Sequence, residues 1–131
     1  MTESKIYISL AQRFLTGGSA AIAQSHELVG FTCYHAFESA GGAYATSRGK
    51  DYPRRHASKL NVSVAFCNNR RFRHSVSALA IHLGALRNQF LYPIQTGSGW
   101  LHPMVQISRA DVEKLHRRVS GIVRVIEREI P

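Results

Sequence analysis

The strongest constraint on the fold of this chain lies near its C-terminal end. There Val112, Leu115, Val119, Ile122, Val123, Ile126 and Ile130 recur at intervals of three and four. That period matches the turn of an α-helix and sets these side chains on one stripe. Ser108 stands just ahead as a good N-cap, with Asp111 three residues on. Acidic residues in the first turn suit the positive end of the helix dipole. Glu113 and Arg117, spaced i,i+4, fall on the opposite side. A helix with one apolar stripe must bury it against another element.

Other segments can meet that stripe. Lys5 to Leu15 places Ile6, Leu10, Ala11 and Phe14 on one face, and Gly17-Gly18 is expected to end the helix. A second helix is expected from about Ser25 to Thr46, with Leu28, Phe31, Cys33, Ala36, Phe37, Ala40 and Tyr44 as a broad apolar face. Gly41-Gly42 weakens it by about 1 kcal/mol per glycine relative to alanine, which implies a packing reason or a kink. Arg48 to Arg55, with Gly49 and Pro53, reads as a loop. From about His56 to Cys67 a third helix carries Ala57, Leu60, Val64, Phe66 and Cys67. Val62, Val64 and Phe66 also alternate, so a strand stays open there. Asn68-Asn69 breaks the run. Val76, Leu79, Ala80, Leu83, Leu86 and Phe90 mark a fourth helix that Pro93 stops, and Ile94 to Ile107 reads as loop. Five helical segments without repeat or linker give an all-α fold, one domain over residues 1–131. Its architecture is an up-and-down helical bundle of four to five helices.

A chain of 131 residues buries roughly two thirds of its unfolded surface on folding. A core therefore needs no disulfide or metal. No run of about 18 apolar residues exists to span a membrane. The start Met1-Thr2-Glu3-Ser4-Lys5 lacks the design of a signal peptide, so a cytoplasmic location is expected. Cys33 and Cys67 form no CxxC pair and read as buried free thiols.

Charge is the more informative number. The net charge is +9, and it is concentrated. Arg48, Lys50, Arg54, Arg55, Lys59, Arg70, Arg71 and Arg73 stand between positions 48 and 73 against Asp51 alone, so the rest of the chain is near balance. Such a field attracts polyanions. Arginine predominates, and its planar fork suits phosphate. Nucleic acid is the expected partner, with solvated basic loops as the plainer alternative.

Familiar catalytic patterns are missing. No HExxH or Cys/His spacing points to a metal, and no cofactor is implied. The carboxylates are few and scattered. Neither Gly-Gly pair has the strand and lysine of a phosphate loop. What remains is Leu86-Arg87-Asn88-Gln89-Phe90-Leu91-Tyr92-Pro93. Asn88 and Tyr92 are i,i+4 and share a face. Arg87 and Tyr92 lie about 140° apart on an ideal helix, and converge only if Pro93 distorts the last turn. A guanidinium, an amide and a phenol there would grip a phosphate. The plainer reading is a surface arginine and an ordinary helix end.

At these residues the chain resembles the HEPN superfamily, the "higher eukaryotes and prokaryotes nucleotide-binding" domains. Gly30-Phe31-Thr32-Cys33-Tyr34-His35-Ala36-Phe37-Glu38-Ser39-Ala40 is similar to the family's helix of aromatic and small residues. His56 matches a histidine common at the start of the third helix. Leu86-Arg87-Asn88 matches the opening of the signature, Arg followed after four to six residues by His. The resemblance implies a helical bundle that dimerises through its signature helices. It also implies metal-independent endoribonuclease activity of toxin–antitoxin or defence type. Arg87, Asn88 and Tyr92 would be the catalytic residues, and Arg48, Lys50, Arg54, Arg55, Lys59, Arg70, Arg71 and Arg73 would bind RNA.

One position departs from the pattern. Tyr92 stands where the shortest form of the motif has His. Imidazole titrates near 6.5 and suits proton transfer from an RNA 2′-hydroxyl, whereas a phenol near 10 is a poor base at neutral pH. A phenol acidified by Arg87 and the basic segment would partly compensate, and Tyr92→Phe leaving RNA cleavage unchanged would dismiss that idea. Arg109 and His116 have the motif's spacing but lie on another helix, and loose spacings of this kind arise by chance among so many Arg and His. His35, His56, His74, His82 and His102 are left open as partners of Arg87. Two rival functions follow. One is a degenerate module that binds RNA or nucleotide without cutting it. The other is an interaction protein held by an antitoxin-like partner.

Overall fold

The computed structural model describes residues 1–56, 58–61, 70–92, 94–101 and 107–131. Four long helices build it: α1 (Glu3–Ala21), α2 (His26–Ser47), α3 (Arg70–Leu91) and α4 (Arg109–Glu129). A short helical segment takes up His56 and residues 58–61. The remainder of the expected third helix, with Cys67 and the strand alternative, lies outside the described residues.

Three of the helix starts show their capping chemistry. Thr2, Ser25 and Ser108 cap α1, α2 and α4, their hydroxyls accepting from the backbone N–H of Lys5, Leu28 and Asp111. Such caps satisfy donors that the first turn leaves free. On α4, Glu113 accepts from Arg109 at 2.8 Å, one turn before it rather than one turn after.

The helices alternate in direction. Gly42 of α2 meets Tyr7 of α1, and Gly18 of α1 meets Thr32 of α2, so these two run antiparallel. Tyr44 bonds Glu129, and His26 bonds the Ile107 carbonyl just ahead of α4, so α2 and α4 run parallel. Residues 72–78 of α3 line one groove with 117–125 of α4, while His82 and Leu86 line another with residues 111–118. That makes α3 and α4 antiparallel and completes an all-α, up-and-down bundle.

The central element is α2. From Val29 to Ala45 every residue but His35 and Phe31 is buried, and it packs against α1, α3 and α4. This explains its lack of a polar face. Leu28, expected on the apolar face, is exposed at the helix start. The Gly41-Gly42 pair marks packing and no kink. A Cβ at Gly42 would lie 3.1 Å from the Tyr7 ring and 3.2 Å from that of Tyr52.

Two expectations about α1 are corrected. The helix continues through Gly17-Gly18 to Ala21, and its buried stripe is Ser4, Ile8, Ala11, Leu15 and Gly18, leaving Ile6 and Leu10 exposed. Small residues let α1 approach α2 closely, and closeness outweighs the bulk of Ile6 and Leu10 in choosing the face. Gly18 is the tightest point: a Cβ there would sit 2.3 Å from Thr32 Oγ1. Gly18→Ala is therefore expected to cost about 1–3 kcal/mol as overpacking. Adding Thr32→Ala should recover part of that loss in a double-mutant cycle read by denaturant midpoint.

The expected loop after Pro93 contains a small hairpin. Strands β1 (Ile94–Thr96) and β2 (Gly99–Leu101) pair antiparallel, Thr96 opposite Gly99. Thr96 Oγ1 donates to the Gly99 carbonyl at 3.0 Å and accepts from Ser98 N. Three residues a side are too few to show a strand period in sequence. Cys33 is fully buried, and burial pushes its thiol up to about 12. In a Cys67→Ser background, Cys33 should react with a thiol reagent at pH 8 only after unfolding.

Candidate functional site

Arg87 projects from the last turns of α3 toward α2. Its guanidinium carbon lies 5.8 Å from the centroid of the Tyr34 ring, and the residue is half-buried. The final turn is regular, because Tyr92 N donates to the Asn88 carbonyl at 3.1 Å. Asn88 and Tyr92 are both exposed, Tyr92 by 55%. The distortion that convergence of Arg87 and Tyr92 would require is not seen in this turn, and Arg87 meets α2.

What it meets there is a cluster of titratable groups. The Glu38 side chain is only 5% exposed. One carboxylate oxygen, Oε1, accepts from His56 Nδ1 at 2.7 Å, and the other, Oε2, lies 3.7 Å from His35 Nδ1. The two imidazole centroids are 6.3 Å apart, and Tyr34 lies 5.5 Å from His35 and 6.0 Å from His56. Phe31 and Phe14 pack on the other sides of His35. The Tyr52 hydroxyl donates to the Glu38 backbone carbonyl, which ties the basic loop to α2 beside the cluster.

Sequence spacing explains the arrangement. Tyr34, His35 and Glu38 sit within four positions on α2, with His35 and Glu38 one turn apart. His56 opens the helical segment after the basic loop, which brings Arg54 and Arg55 to the same end of the bundle. A buried carboxylate is costly unless hydrogen bonds or charge offset it, and His56 supplies a hydrogen bond. Of the histidines left open as partners of Arg87, His35 and His56 are those that adjoin Tyr34, the ring over which Arg87 lies. His74 and His82 lie along the α3–α4 side, where His82 lines a cavity of about 300 Å³ with Lys114 and Arg118. His102 is outside the described residues. Glu38 was not singled out from sequence. Its signal was faint: one carboxylate in the middle of a helix whose other acidic residue, Glu27, lies in the first turn.

Electrostatics separate the groups. Burial lowers the His35 pKa, with His56, Arg87 and Lys59 acting the same way and Glu38 opposing. Burial first and Glu38 second raise the Tyr34 phenol. His35 therefore resists the proton that the unfolded chain takes up near pH 6.5. The stability tied to this residue is present above that pH and lost as pH falls below it. Thermal midpoints should decline on acidification through pH 6, and less so in His35→Gln.

The basic segment divides. Lys50, Arg54 and Arg55 are exposed. Arg48 is engaged within the bundle: it lies 4.0 Å over the Tyr44 ring, donates to Tyr44 Oη at 3.0 Å and stands 4.0 Å from Glu129. Lys59 sits 5.2 Å over the Tyr52 ring. Arg73 is exposed at the first turn of α3, and Arg70 and Arg71 begin that helix. Among the described residues no group of three or more His, Cys, Asp or Glu is placed to hold a metal ion. No helix of theirs is long and apolar enough to cross a membrane. No protein-family model, curated protein or solved structure matches the chain.

Proposed function

We propose that this chain is a HEPN-like, RNA-directed protein that cleaves RNA without a metal, as a toxin or defence ribonuclease, at a composite site across a homodimer. One observation carries the reading. The signature Arg87 lies over Tyr34, which adjoins His35 and His56 and the buried Glu38 they share, and exposed Arg54 and Arg55 immediately precede His56. A guanidinium fork that stabilises phosphorane charge, imidazoles that move protons and a basic approach for the backbone make a complete set for phosphodiester chemistry. Asn88 would position the phosphate, and Tyr92 would contact RNA or donate a proton. Ile81, Ala85, Asn88 and Tyr92 are exposed along one side of α3, and a second copy seated there would bring its own Arg87 close.

The test is incubation of single-stranded RNA with pure protein in EDTA, where cleavage is expected. The exposure of Tyr92, where the family carries His, favours a second reading: binding of RNA or nucleotide without cleavage, which predicts intact RNA and retained affinity. RNA binding separates both from a module held by an antitoxin-like protein. Three or four phosphate contacts give a log–log salt slope of roughly −2 to −3 on single strands. Arg54→Ala with Arg55→Ala should flatten it by about 1.4. A slope near zero identifies a protein partner.

A further inference from the structure

The geometry points to His56 and His35 as the acid and the base of the cleavage step, both beside the Glu38 carboxylate that bonds His56, which leaves Tyr92 the RNA contact as its role. The inference rests on the reading of Arg87 as an RNA-cleaving centre.

Glu38 reaches both rings through the same atom type. His56 Nδ1 donates to one of its carboxylate oxygens at 2.7 Å, and His35 Nδ1 faces the other at 3.7 Å. A proton held on Nδ1 of His56 leaves its Nε2 to meet substrate, as a carboxylate-oriented imidazole does in hydrolytic triads, and His35 turns the same atom toward the carboxylate. The two centroids lie 6.3 Å apart. Rings at that separation can each send an angled hydrogen bond of about 3 Å to one phosphodiester lying over them, whose attacking and leaving oxygens are on opposite sides of phosphorus. The side chains of His56 and His35 are 46% and 28% exposed, so both are within reach of a strand lying over the cluster. Arg87, on the facing helix, is placed for the non-bridging oxygens.

The environments of the two rings divide the roles. His35 is packed among Phe14, Phe31 and Tyr34 and is kept neutral, as a base must be. His56 is the more exposed and is bonded to the buried carboxylate, which places it toward the solvent side where the leaving oxygen departs. The charged and titratable groups facing the pair are Glu38, Tyr34 and Tyr52, with Arg87 from α3 and Lys59 from the segment after His56. In the step, His35 Nε2 takes the proton of an RNA 2′-hydroxyl. The 2′-oxygen forms a bond to the adjacent phosphorus while the bond from phosphorus to the 5′-oxygen breaks. His56 delivers its proton to that leaving oxygen. The products are a 2′,3′-cyclic phosphate and a 5′-hydroxyl, and the histidines exchange protons with water to reset. Glu38 touches no reacting atom and is a positioning residue.

Paired substrates test this. One is a dinucleotide, whose 5′-oxygen needs a proton to leave. The other is a uridine 3′-(4-nitrophenyl phosphate), whose phenolate leaves without one. His56→Ala is expected to slow the dinucleotide by about 10²-fold or more and the nitrophenyl ester far less. His35→Ala is expected to slow both alike. Glu38→Gln should keep the fold by circular dichroism and move the acid limb of the pH–rate profile to lower pH, which loss of a merely structural bond would not do. If His56→Ala and His35→Ala cut RNA like the wild type while Arg87→Ala does not, the histidine assignment is wrong and the Arg87 site stands. An equal loss on both substrates in His56→Ala overturns its role as acid. A wild-type protein that cuts neither substrate overturns the Arg87 reading together with the inference.

Discussion

Phe37→Ala is expected to destabilise the protein by about 3–5 kcal/mol, the range for truncating a buried aromatic side chain. Phe37 is fully buried on α2, which packs against all three other long helices. A cavity there has walls on every side, so the bundle cannot collapse into it without moving several helices together. The loss is readable as a shift of the urea midpoint at constant slope. A loss below about 1 kcal/mol would mean that the site relaxes freely and that α2 is not the central helix. By contrast Ile6→Ala and Leu10→Ala, at exposed positions of α1, should stay within about 0.5 kcal/mol, even though their sequence spacing marks them as core.

Arg87→Ala is expected to reduce RNA cleavage by about 10²- to 10³-fold, the usual effect of removing one charge-stabilising donor from a transition state. Its effect on folding should be small. The guanidinium lies over the Tyr34 ring at 5.8 Å, a contact worth about 0.5–1 kcal/mol at an exposed site. Arg87→Lys keeps the charge and loses the planar fork, so it should fall between wild type and alanine. Rates for the purified variants on one RNA, set beside their thermal midpoints, separate chemistry from folding. A large drop in the midpoint with unchanged activity per folded molecule would make Arg87 a structural residue.

The bundle was legible because period and capping agree. The α4 stripe and Ser108 cap appear in the fold as the spacing requires, and Val76, Leu79 and Leu83 of α3 are buried with them. Less legible was the role of small residues. Gly17-Gly18 resembles a helix stop because glycine is a poor helix former, yet Gly18 lies where α1 crosses α2 too closely for any side chain. Charge counting likewise marks Arg48 and Lys59 as free for phosphate, while the fold stacks them on Tyr44 and Tyr52. The candidate site shows the same limit. Arg87 stands out because it interrupts an apolar helix, and Tyr92 draws notice through its spacing from Arg87. The groups that gather around Arg87 come from positions 34 to 56, and only the packing of α3 on α2 brings them together. Glu38 carries no motif. Its significance is a matter of depth, since a carboxylate at the surface of the same helix would have no hold on two histidines.

The most direct measurement is the chemistry of the ends left on RNA by pure protein in EDTA, with Arg87→Ala alongside. A centre of Arg87, His35 and His56 working without a metal predicts a 2′,3′-cyclic phosphate upstream and a 5′-hydroxyl downstream, both lost in Arg87→Ala. Intact RNA, or cuts that need an added divalent cation and leave a 3′-hydroxyl with a 5′-phosphate, would contradict it.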